Sequence, residues 1–530
     1  MCQGQRRTSS LEERVKRLQS FGFWFSSLDL LPQAEAACVF VLQFDLIGVF
    51  IVSYREEFTF QTLEMMAMLV SFTFENWKSY RDETTLSMIA DRSRQHGETL
   101  ASSPYYRGMK FLPVAAIYGG NAAGKSNLFD AIRFVQRFVI LGRQDYSDIP
   151  VEPFAWGSSG KEPSRFAIQI LVTHPGTGEL CPSRTLQREL IYQLEFRVNR
   201  QQVLEESLSW FDSQRHEHEI YHRNAEGDVM FSSELRSKVG AEQIKTLQVL
   251  AKGAGQRRLF LTNTASQQLP LFRHIYDWFR NDLRTADNAT PAPRIAKLMD
   301  DQEYCDRFGR ILHALGTGVD HVRLEPTSLE SLPADQREQL KNLADQMQEN
   351  SMIQAAISLG YETSTQIFVI TKHNGDVTVR HVQTYRNDKP FGFERESSGT
   401  RRLIEILPIF LDLWMHDSCT WVLDEMEREF HTEMTWALLE GFLENCGQRT
   451  RKQALLNTHD LMLMDQDLFR KDEILVAERD NDGVSHLISL GDYEGIRNDL
   501  DLRRSYLDGR FGGRPDINAN EFEEAINGGK

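Results

Sequence analysis

Apolar and polar residues alternate along the chain in patterns that predict its strands and helices. From Met68 the sequence MLVSFTFENWKSY predicts a strand, a turn and then another strand. Residues 111–119 form an apolar run that ends in glycine, as expected of a buried strand that enters a loop. A helix is predicted from Lys125 to about Phe138, and the alternating segments of residues 165–230 predict an antiparallel layer beside a parallel core.

The pattern changes in the second half of the chain. Residues 292–358 include a charged amphipathic stretch and predict an inserted helical arm. Asn374-Gly375 lies between two alternating segments and predicts a hairpin. Beyond Ser397 the pattern predicts a helix, followed by strands at 419–423 and 453–457 with another helix between them.

Together these elements predict an α/β fold with a mixed sheet, an antiparallel β layer and an inserted helical arm. We divide the chain into an N-terminal extension (1–67), a first head lobe with the antiparallel sheet (68–285), a helical insertion (286–358), a second head part (359–490) and a C-terminal tail (491–530). A chain of 530 residues is long enough for several domains.

The N-terminal extension contains the most apolar run of the sequence, residues 38–53. This run has an internal aspartate and is too short for a comfortable membrane span. We therefore expect the extension to be dispensable for function and the protein to have no membrane partner. A short membrane or partner anchor is the competing interpretation.

Composition and charge narrow the class of protein. Hydrophobic residues make up 41% and charged residues 26% of the chain, which is typical of a folded globular protein. The net charge of -16 argues against nucleic-acid binding that is driven by the overall charge of the protein. A local basic groove could still bind nucleic acid, so direct nucleic-acid binding stays an open alternative. The six cysteines lie far apart and include no CxxC pair, which argues against a disulfide framework. We therefore expect the protein to be located in the reducing cytoplasm.

A glycine-rich motif joins the buried strand to the helix that follows it. Its glycines allow backbone amides to turn toward the β- and γ-phosphates, and the helix presents its positive N-terminal end. Lys125 supplies a cation for the terminal phosphates, and the Ser126 hydroxyl can bind Mg²⁺. ATP and Mg²⁺ are the predicted cofactors. The residues that match GxxxxGK[ST] are Gly119, Gly120, Asn121, Ala122, Ala123, Gly124, Lys125 and Ser126.

An apolar strand ends in two adjacent carboxylates, Asp424 and Glu425. In a P-loop NTPase the first acid holds Mg²⁺ through water and the second orients and deprotonates the attacking water. An acidic pair at a strand end is also common as a solvated turn. The long separation from Lys125 favours an ABC-class head, because simpler GTPases and kinases place the metal aspartate much closer.

Two further elements are weaker when each is considered alone. Ser397 and Gly399 belong to a small-residue segment that opens a helix, which can bind an anion or can simply cap the helix. His459 follows the next strand, where a switch residue can contact the γ-phosphate, although a lone histidine is more often structural. The order of the four elements favours an ATPase.

The motifs together resemble a known family. The chain is similar to the ABC-class AAA ATPases of bacterial anti-phage operons, most of all to PARIS-system ATPase subunits, with Septu and OLD-like ATPases as relatives. The segments that carry the resemblance are FENWKSY (74–80), YGGNAAGKSN (118–127), ESSGTRRL (396–403), VLDEMEREFH (422–431), NTHD (457–460) and YLDGRFGGRP (506–515).

This resemblance implies roles for residues and partners. It implies an ABC-type P-loop ATPase head in which Lys78, Ser79 and Asn127 lie near the nucleotide, and in which Ser397 and Gly399 reach across a homodimer or a larger ring. It also implies an effector protein, most simply a TOPRIM-like nuclease, and a phage-encoded trigger protein. The chain departs from the family at residues 429–432, where the usual Ser-Leu-His-Pro is missing, and no Q-loop glutamine can be assigned.

Two functions of different classes therefore remain. The first is an ATP-dependent sensor and scaffold of a defence system, and the second is a DNA-repair ATPase of the SMC type. Net acidity and the short insertion favour the scaffold. Residues 478–483 imitate a nuclease acidic cluster, but they are better explained as a hairpin that turns at Asp482-Gly483.

Overall fold

A computed structural model gives the fold for most of the chain beyond residue 65. Residues 1–65 of the predicted extension, with the apolar run at 38–53, lie outside the described residues, and Ala67 already belongs to the first strand. No helix in the part that the structure describes is long and apolar enough to cross a membrane. The described residues are 66–142, 147–157, 159–174, 188–286, 302–347, 351–358, 365–429, 431–514 and 518–527.

A six-stranded sheet forms the centre of the fold, with the strand order β11-β17-β18-β5-β19-β20. Five strands run parallel, and only β20 is antiparallel to its neighbour. Ala115 and Ile117 of β5 pack on one face of the sheet and Ala116 and Tyr118 on the other, so that both faces are buried. The strands are β5 (Val114–Tyr118), β11 (Leu283–Ala286), β17 (Ser418–Asp424), β18 (Arg451–Asn457), β19 (Ile474–Arg479) and β20 (Ser485–Ser489).

Helices cover both faces of this sheet. On one face lies α1 (Lys125–Leu141), which packs through Phe129, Val135 and Val139. On the other face lie α7 (Ser398–Met415) and α8 (Thr432–Glu444), whose apolar residues share a core with the parallel strands. The predicted helices and strands of this region are confirmed.

A seven-stranded antiparallel sheet packs against α1 from the opposite side, with the order β10-β9-β8-β7-β6-β1-β2. The predicted antiparallel layer is therefore confirmed. The strands are β1 (Ala67–Glu75), β2 (Thr84–Ser87), β6 (Ser164–His174), β7 (Arg188–Val198), β8 (Val203–Phe211), β9 (Glu217–Arg223) and β10 (Val229–Phe231), and a small separate pair comprises β3 (Ala101–Ser102) and β4 (Lys110–Phe111).

The segment that was predicted as a helical insertion is only partly helical. It contains α5 (Gln302–Ala314) and α6 (Ala334–Gln346), but also β12 (His321–Pro326) and β13 (Ser351–Ser358). These strands pair in the order β12-β15-β14-β13, and β16 pairs with β15. The prediction of a helical arm over 286–358 is wrong in this respect, because strand partners that lie later in the chain decide the structure of short segments. The later strands are β14 (Thr365–His373), β15 (Asp376–Arg386) and β16 (Lys389–Gly392).

Two hairpins and the remaining helices complete the description. The hairpins at Asn374-Gly375 and Asp482-Gly483 are present as predicted. The predicted α/β class, a P-loop head with a mixed sheet and an antiparallel β layer, is confirmed. The remaining helices are α2 (Ser233–Gly253), α3 (Phe260–Ser266), α4 (Arg273–Asp277) with a π turn after it (Trp278–Asp282), α9 (Leu502–Leu507) and α10 (Ala519–Ile526).

Candidate nucleotide site

The glycine-rich loop runs from the end of β5 into the first turn of α1. Gly119, Ala122 and Gly124 have φ values of 149°, 63° and 109°, which bring the loop back onto the helix N-terminus. Lys125 is buried, and its Nζ donates hydrogen bonds to the carbonyl oxygens of Gly119 at 2.8 Å and Gly120 at 3.1 Å. Asn121, Ala122 and Ser126 are exposed, whereas Ala123 is buried. The loop thus offers an open face with a cation beneath it.

The segment after β1 braces the start of α1. The Trp77 indole donates to the Asn127 carbonyl at 2.8 Å, and the Asn127 amide donates to Ser79 Oγ at 2.8 Å. Lys78 Nζ lies 2.7 Å from Asp130 Oδ2, on the first turns of α1. Ser79 and Asn127 therefore lie together as predicted for a shared site, whereas the Lys78 ammonium faces carboxylates of the protein.

Two segments from the end of the chain brace the loop from behind. Ser485 Oγ lies 2.8 Å from Ser79 Oγ, although the two residues are 406 positions apart. A Cβ on Gly124 would come within 2.5 Å of Ser485 Oγ, so this contact requires glycine. The amide of Gly120 donates to the Gly513 carbonyl at 2.7 Å. The phosphate loop is therefore held by residues from both ends of the described chain.

The two carboxylates lie at the end of β17, beside the end of β18. Asn457 links the two residues: its amide nitrogen donates to Asp424 Oδ1 at 2.5 Å, and its Oδ1 accepts the backbone N–H of Glu425 at 2.8 Å. Glu425 has a φ of 47°, a conformation that L-residues adopt rarely and mainly at turns or functional sites. The strand that leads into the phosphate loop, β5, lies next to β18 on the side away from β17. Because these three strands are parallel, the carboxylates and the phosphate loop lie at the same edge of the sheet.

His459 lies beyond β18 on the same edge, with Nε2 4.0 Å from Glu425 Oε1. Glu427 fixes its backbone, because Oε1 accepts the His459 N–H at 2.8 Å and the Thr458 hydroxyl at 2.7 Å. Burial and, to a lesser degree, the Lys125 charge lower the pKa of His459 below its usual value. The imidazole is therefore neutral at pH 7, with one ring nitrogen that donates a hydrogen bond and one that accepts a hydrogen bond.

The charges of the site match a nucleotide that carries a metal ion. Burial lowers the pKa of Lys125, while Glu425 and Asp424 act in the opposite direction and favour its charged form. Ser126 and Asp424 are the residues that would hold Mg²⁺, which usually takes only one or two protein ligands besides phosphate oxygens and water.

The predicted small-residue segment with Ser397 and Gly399, which we call the signature segment, opens α7. Ser397 caps α7: its Oγ accepts the Thr400 N–H at 3.1 Å, and it also lies 2.8 Å from the Thr400 hydroxyl. Ser397 is exposed and Gly399 is half-buried. The hydrogen bonds of the described residues do not join either of them to the phosphate loop of the same chain.

Several residues of the site were missed at the sequence level. In the sequence, Asn457 stands out only as part of the segment NTHD (457–460), and Glu427 only as part of VLDEMEREFH (422–431). Arg133 contacts Asp424, with Nη2 3.2 Å from Oδ2. A basic residue within the apolar pattern of α1 is the signal that could have found Arg133. Gly513 lay in a recognised motif, but nothing in the sequence connects it with Gly120.

A comparison with protein families identifies the class of the chain. Residues 114–465 match the model described as "AAA domain, putative AbiEii toxin, Type IV TA system". The chain belongs to this AAA family. The matched region begins at β5 and extends past His459, so it includes the phosphate loop, the acidic pair and Asn457. Membership of the AAA family makes the chain a P-loop ATPase, and such ATPases use a nucleotide and typically Mg²⁺.

Solved structures of SMC heads are also similar to this AAA protein. An SMC head bound to the C-terminal winged-helix domain of ScpA is 13% identical, with a TM-score of 0.37, over 80% of this chain and 98% of that chain. The SMC head of Thermotoga maritima is 13% identical, with a TM-score of 0.30, over 80% and 98%. An SMC head with coiled coil and joint from Pyrococcus yayanosii is 10% identical, with a TM-score of 0.34, over 84% and 100%. No curated protein matches the sequence.

Proposed function

We propose that the protein is an ABC-class ATPase that hydrolyses ATP to ADP and phosphate. The observation that carries this proposal is the meeting of Lys125, Asp424 and Glu425 at one edge of the parallel sheet, where Asn457 binds the Asp424 carboxylate and the Glu425 backbone N–H. The carboxyl ends of parallel strands are where α/β proteins bind ligands. A solvated turn would not need a buried asparagine that holds the Asp424 carboxylate and the Glu425 backbone.

Each residue at this edge has a proposed task. Lys125 and the loop amides bind the β- and γ-phosphates. Glu425 orients a water molecule and accepts its proton, and His459, neutral at pH 7, contacts the γ-phosphate. Ser126 and Asp424 hold the metal, which when bound neutralises charge that develops on the phosphate oxygens.

The signature segment completes the site of a second copy. Ser397 and Gly399 open α7 at an accessible helix N-terminus, which attracts anions. By the family resemblance, we assign them to the γ-phosphate bound by a facing subunit. The protein is then at least a dimer with ATP, and the resemblance favours a larger ring.

The biological role that we propose is a sensor and scaffold in anti-phage defence. The ATPase holds a toxic effector, most simply a TOPRIM-like nuclease, and releases it when a phage-encoded trigger protein is detected. The family description names a toxin of a toxin–antitoxin system, and this supports a role in defence against phage. The described insertion has two 13-residue helices and strands of a separate sheet, which favours a scaffold over an SMC-type DNA-repair ATPase with a long coiled coil.

Two variants test the ATPase. We expect Lys125→Ala to abolish ATP binding, because it removes the buried cation beneath the loop. Glu425→Gln should keep ATP bound but slow hydrolysis about 10²- to 10⁴-fold, because the proton acceptor is lost. ATP binding is measured by calorimetry and turnover by phosphate release. The exposed residues Lys252 and Glu440 provide the matched controls Lys252→Ala and Glu440→Gln. Wild-type ATP affinity in Lys125→Ala would contradict the assignment of the site.

A second experiment tests whether nucleic-acid cleavage belongs to the effector and not to this ATPase. The purified protein, incubated alone with DNA, RNA and tRNA in Mg²⁺ or Mn²⁺, should hydrolyse ATP without cleaving nucleic acid. Asp480 is engaged in the β19–β20 hairpin, where its carboxylate accepts the Val484 N–H at 2.8 Å and lies 3.0 Å from His486 Nε2. Cleavage that disappears in Asp480→Ala while ATPase activity persists would restore the nuclease interpretation.

A further inference from the structure

Arg133 lies on α1, eight residues after Lys125, and reaches the strand that carries the metal-binding aspartate. Its Nη2 lies 3.2 Å from Asp424 Oδ2, and its side chain is only 12% exposed. The other oxygen of Asp424 accepts the Asn457 amide. The Asp424 carboxylate is thus held on both oxygens by protein groups, which fixes the direction in which its remaining lone pairs point.

Arg133 is itself held by a second carboxylate. Asp130 Oδ1 accepts from Arg133 Nη1 at 2.9 Å, while Asp130 Oδ2 lies 2.7 Å from Lys78 Nζ. Lys78, Asp130, Arg133 and Asp424 form a chain of alternating charges that we call the α1 charge relay. The relay begins at the segment beside Ser79 and ends at the metal side of the site.

A packing role alone does not explain this arginine. Its neighbours Ile132 and Phe134 fill the core with apolar side chains, and an apolar residue would avoid the cost of burying a guanidinium. Arg133 Nε is buried and has no hydrogen-bond partner among the described residues, so part of this cost is not offset. A buried guanidinium at this position is explained if its contacts with Asp130 and Asp424 have a function in the nucleotide site.

We propose that Arg133 is a positioning residue that orients Asp424 for metal binding, and that Asp130 holds Arg133 in place for this task. The proposal rests on the proposed ATPase function. Each carboxylate oxygen of Asp424 keeps a lone pair beyond its contact with Arg133 or Asn457, so Arg133 can remain bound while Asp424 accepts a metal-bound water. The groups that orient metal-binding residues typically change metal affinity 10- to 100-fold when they are removed.

The test measures metal binding rather than turnover. Mn²⁺ is titrated into the full-length protein saturated with ADP, and the half-saturating free Mn²⁺ is determined by electron paramagnetic resonance. ADP affinity is measured separately in EDTA. Arg133→Met should raise the half-saturating Mn²⁺ about 10- to 100-fold and change the metal-free ADP affinity less than about twofold. Arg133→Lys should recover part of the loss, because it restores the charge without the forked geometry.

Matched variants distinguish positioning from folding. Arg137 lies one turn further along α1 and is exposed, so Arg137→Met should bind Mn²⁺ as the wild type does. Asp130→Asn should raise the half-saturating Mn²⁺ less than Arg133→Met does, and the two effects should not add in the double variant, because they act through one contact. If Arg133→Met does not fold, Arg133→Lys and Asp130→Asn decide the question.

The outcomes separate this inference from the proposed function. Wild-type Mn²⁺ binding in Arg133→Met, or in both Arg133→Lys and Asp130→Asn, would overturn the positioning role while leaving the ATPase assignment intact. Failure of the wild-type protein to bind ADP or Mn²⁺ at all would overturn both. A raised half-saturating Mn²⁺ with unchanged metal-free ADP affinity supports the role, because general loosening of the fold would weaken both.

Discussion

At the scale of single residues, Asn457 organises the acidic end of the site. It is 1% exposed, and its amide group is used on both sides, for Asp424 and for the Glu425 backbone. The left-handed φ of Glu425 costs free energy that the surrounding contacts must offset. We conclude that Asn457 stabilises the turn in which Glu425 can face the nucleotide.

Replacing this asparagine tests the conclusion. Asn457→Ala leaves the Glu425 N–H and one Asp424 oxygen without their partner, which should reduce the free energy of unfolding by about 1–3 kcal/mol. Turnover should fall more than ATP affinity, because the acids and not the phosphate loop are disturbed. Phosphate release and calorimetry measure the two effects. Asn445→Ala, at the exposed end of α8, is the matched control, and equal losses of turnover and affinity would argue against the assigned role.

Residues such as Asn457 show what the sequence could and could not predict. The phosphate loop and Asp424 could be placed because each depends on a local pattern, a glycine-rich turn or an apolar strand that ends in acids. Arg133 and Asp424 are 291 positions apart, and their contact depends on the packing of α1 on the sheet. Local patterns carry no information on such a contact, so Arg133 was not found.

At the scale of elements, the phosphate loop is clamped by the segment that starts in the last turn of α9. Gly513 has a φ of 65°, and its carbonyl accepts both the Gly120 N–H and the Tyr506 hydroxyl, the latter at 2.8 Å. A Cβ on Gly513 would lie 2.3 Å from Val476 Cγ1. The close approach of this segment to β19 therefore requires glycine, and we call residues 506–513 the C-terminal clamp.

The clamp predicts different effects for two glycines in the same segment. Gly513→Ala should displace the clamp from Gly120 and weaken ATP binding at least about tenfold, because the loop loses an anchor. Gly509→Ala shares the strain of a positive φ, at 81°, but its Cβ meets no atom within 4 Å. Calorimetric titration with ATP compares them. Similar affinities for the two variants would mean that backbone strain, and not the contact with Gly120, matters.

The insertion shows where element prediction fails. The amphipathic sequence of α6 was correctly recognised as helical, since Leu340 and Leu343 recur at helical spacing and face a small core. The strands on either side were missed, because β12 pairs with β15 and β13 pairs with β14 further along the chain. Short segments take their conformation from such partners, which a local pattern does not identify.

At the scale of the whole molecule, the signature segment predicts assembly that depends on ATP. Glu425→Gln with ATP should form at least a dimer by light scattering. In this background Ser397→Asp keeps an N-cap acceptor for Thr400 but places a negative charge toward the γ-phosphate of the facing subunit. We expect it to abolish the dimer, whereas Ser397→Asn, a neutral cap of similar size, should retain it. Dimerisation of Ser397→Asp would exclude a role of Ser397 in the interface.

The stability of the whole molecule should depend on pH through Glu473. This side chain is buried beside Arg470, and burial raises its pKa to about 8. Because the folded state holds the proton more tightly than the unfolded state, the contribution to stability is full below about pH 4.5 and is lost as pH rises through about 8. The free energy of unfolding should therefore fall by at most about 1.4 kcal/mol per pH unit in this window.

Glu473→Gln should remove this slope, since the amide does not titrate. Denaturant unfolding at pH 6, 7 and 8 measures the difference between wild type and variant, which should grow in favour of the variant with increasing pH. Glu494→Gln, at an exposed position, should run parallel to the wild type. A difference between wild type and Glu473→Gln that does not change with pH would mean that Glu473 is ionised in the fold.

The contact between Ser79 and Ser485 has a consequence for protein synthesis. The two hydroxyls meet across 406 positions of sequence, beside the glycine of the phosphate loop. A ribosome that adds about 5–20 residues per second makes Ser485 roughly 20 to 80 s after Ser79. For most of that interval the emerging chain already contains the whole glycine-rich motif but lacks the hairpin that braces it. A nascent chain should therefore gain its affinity for ATP late in translation, when the last supports of the loop have left the ribosome.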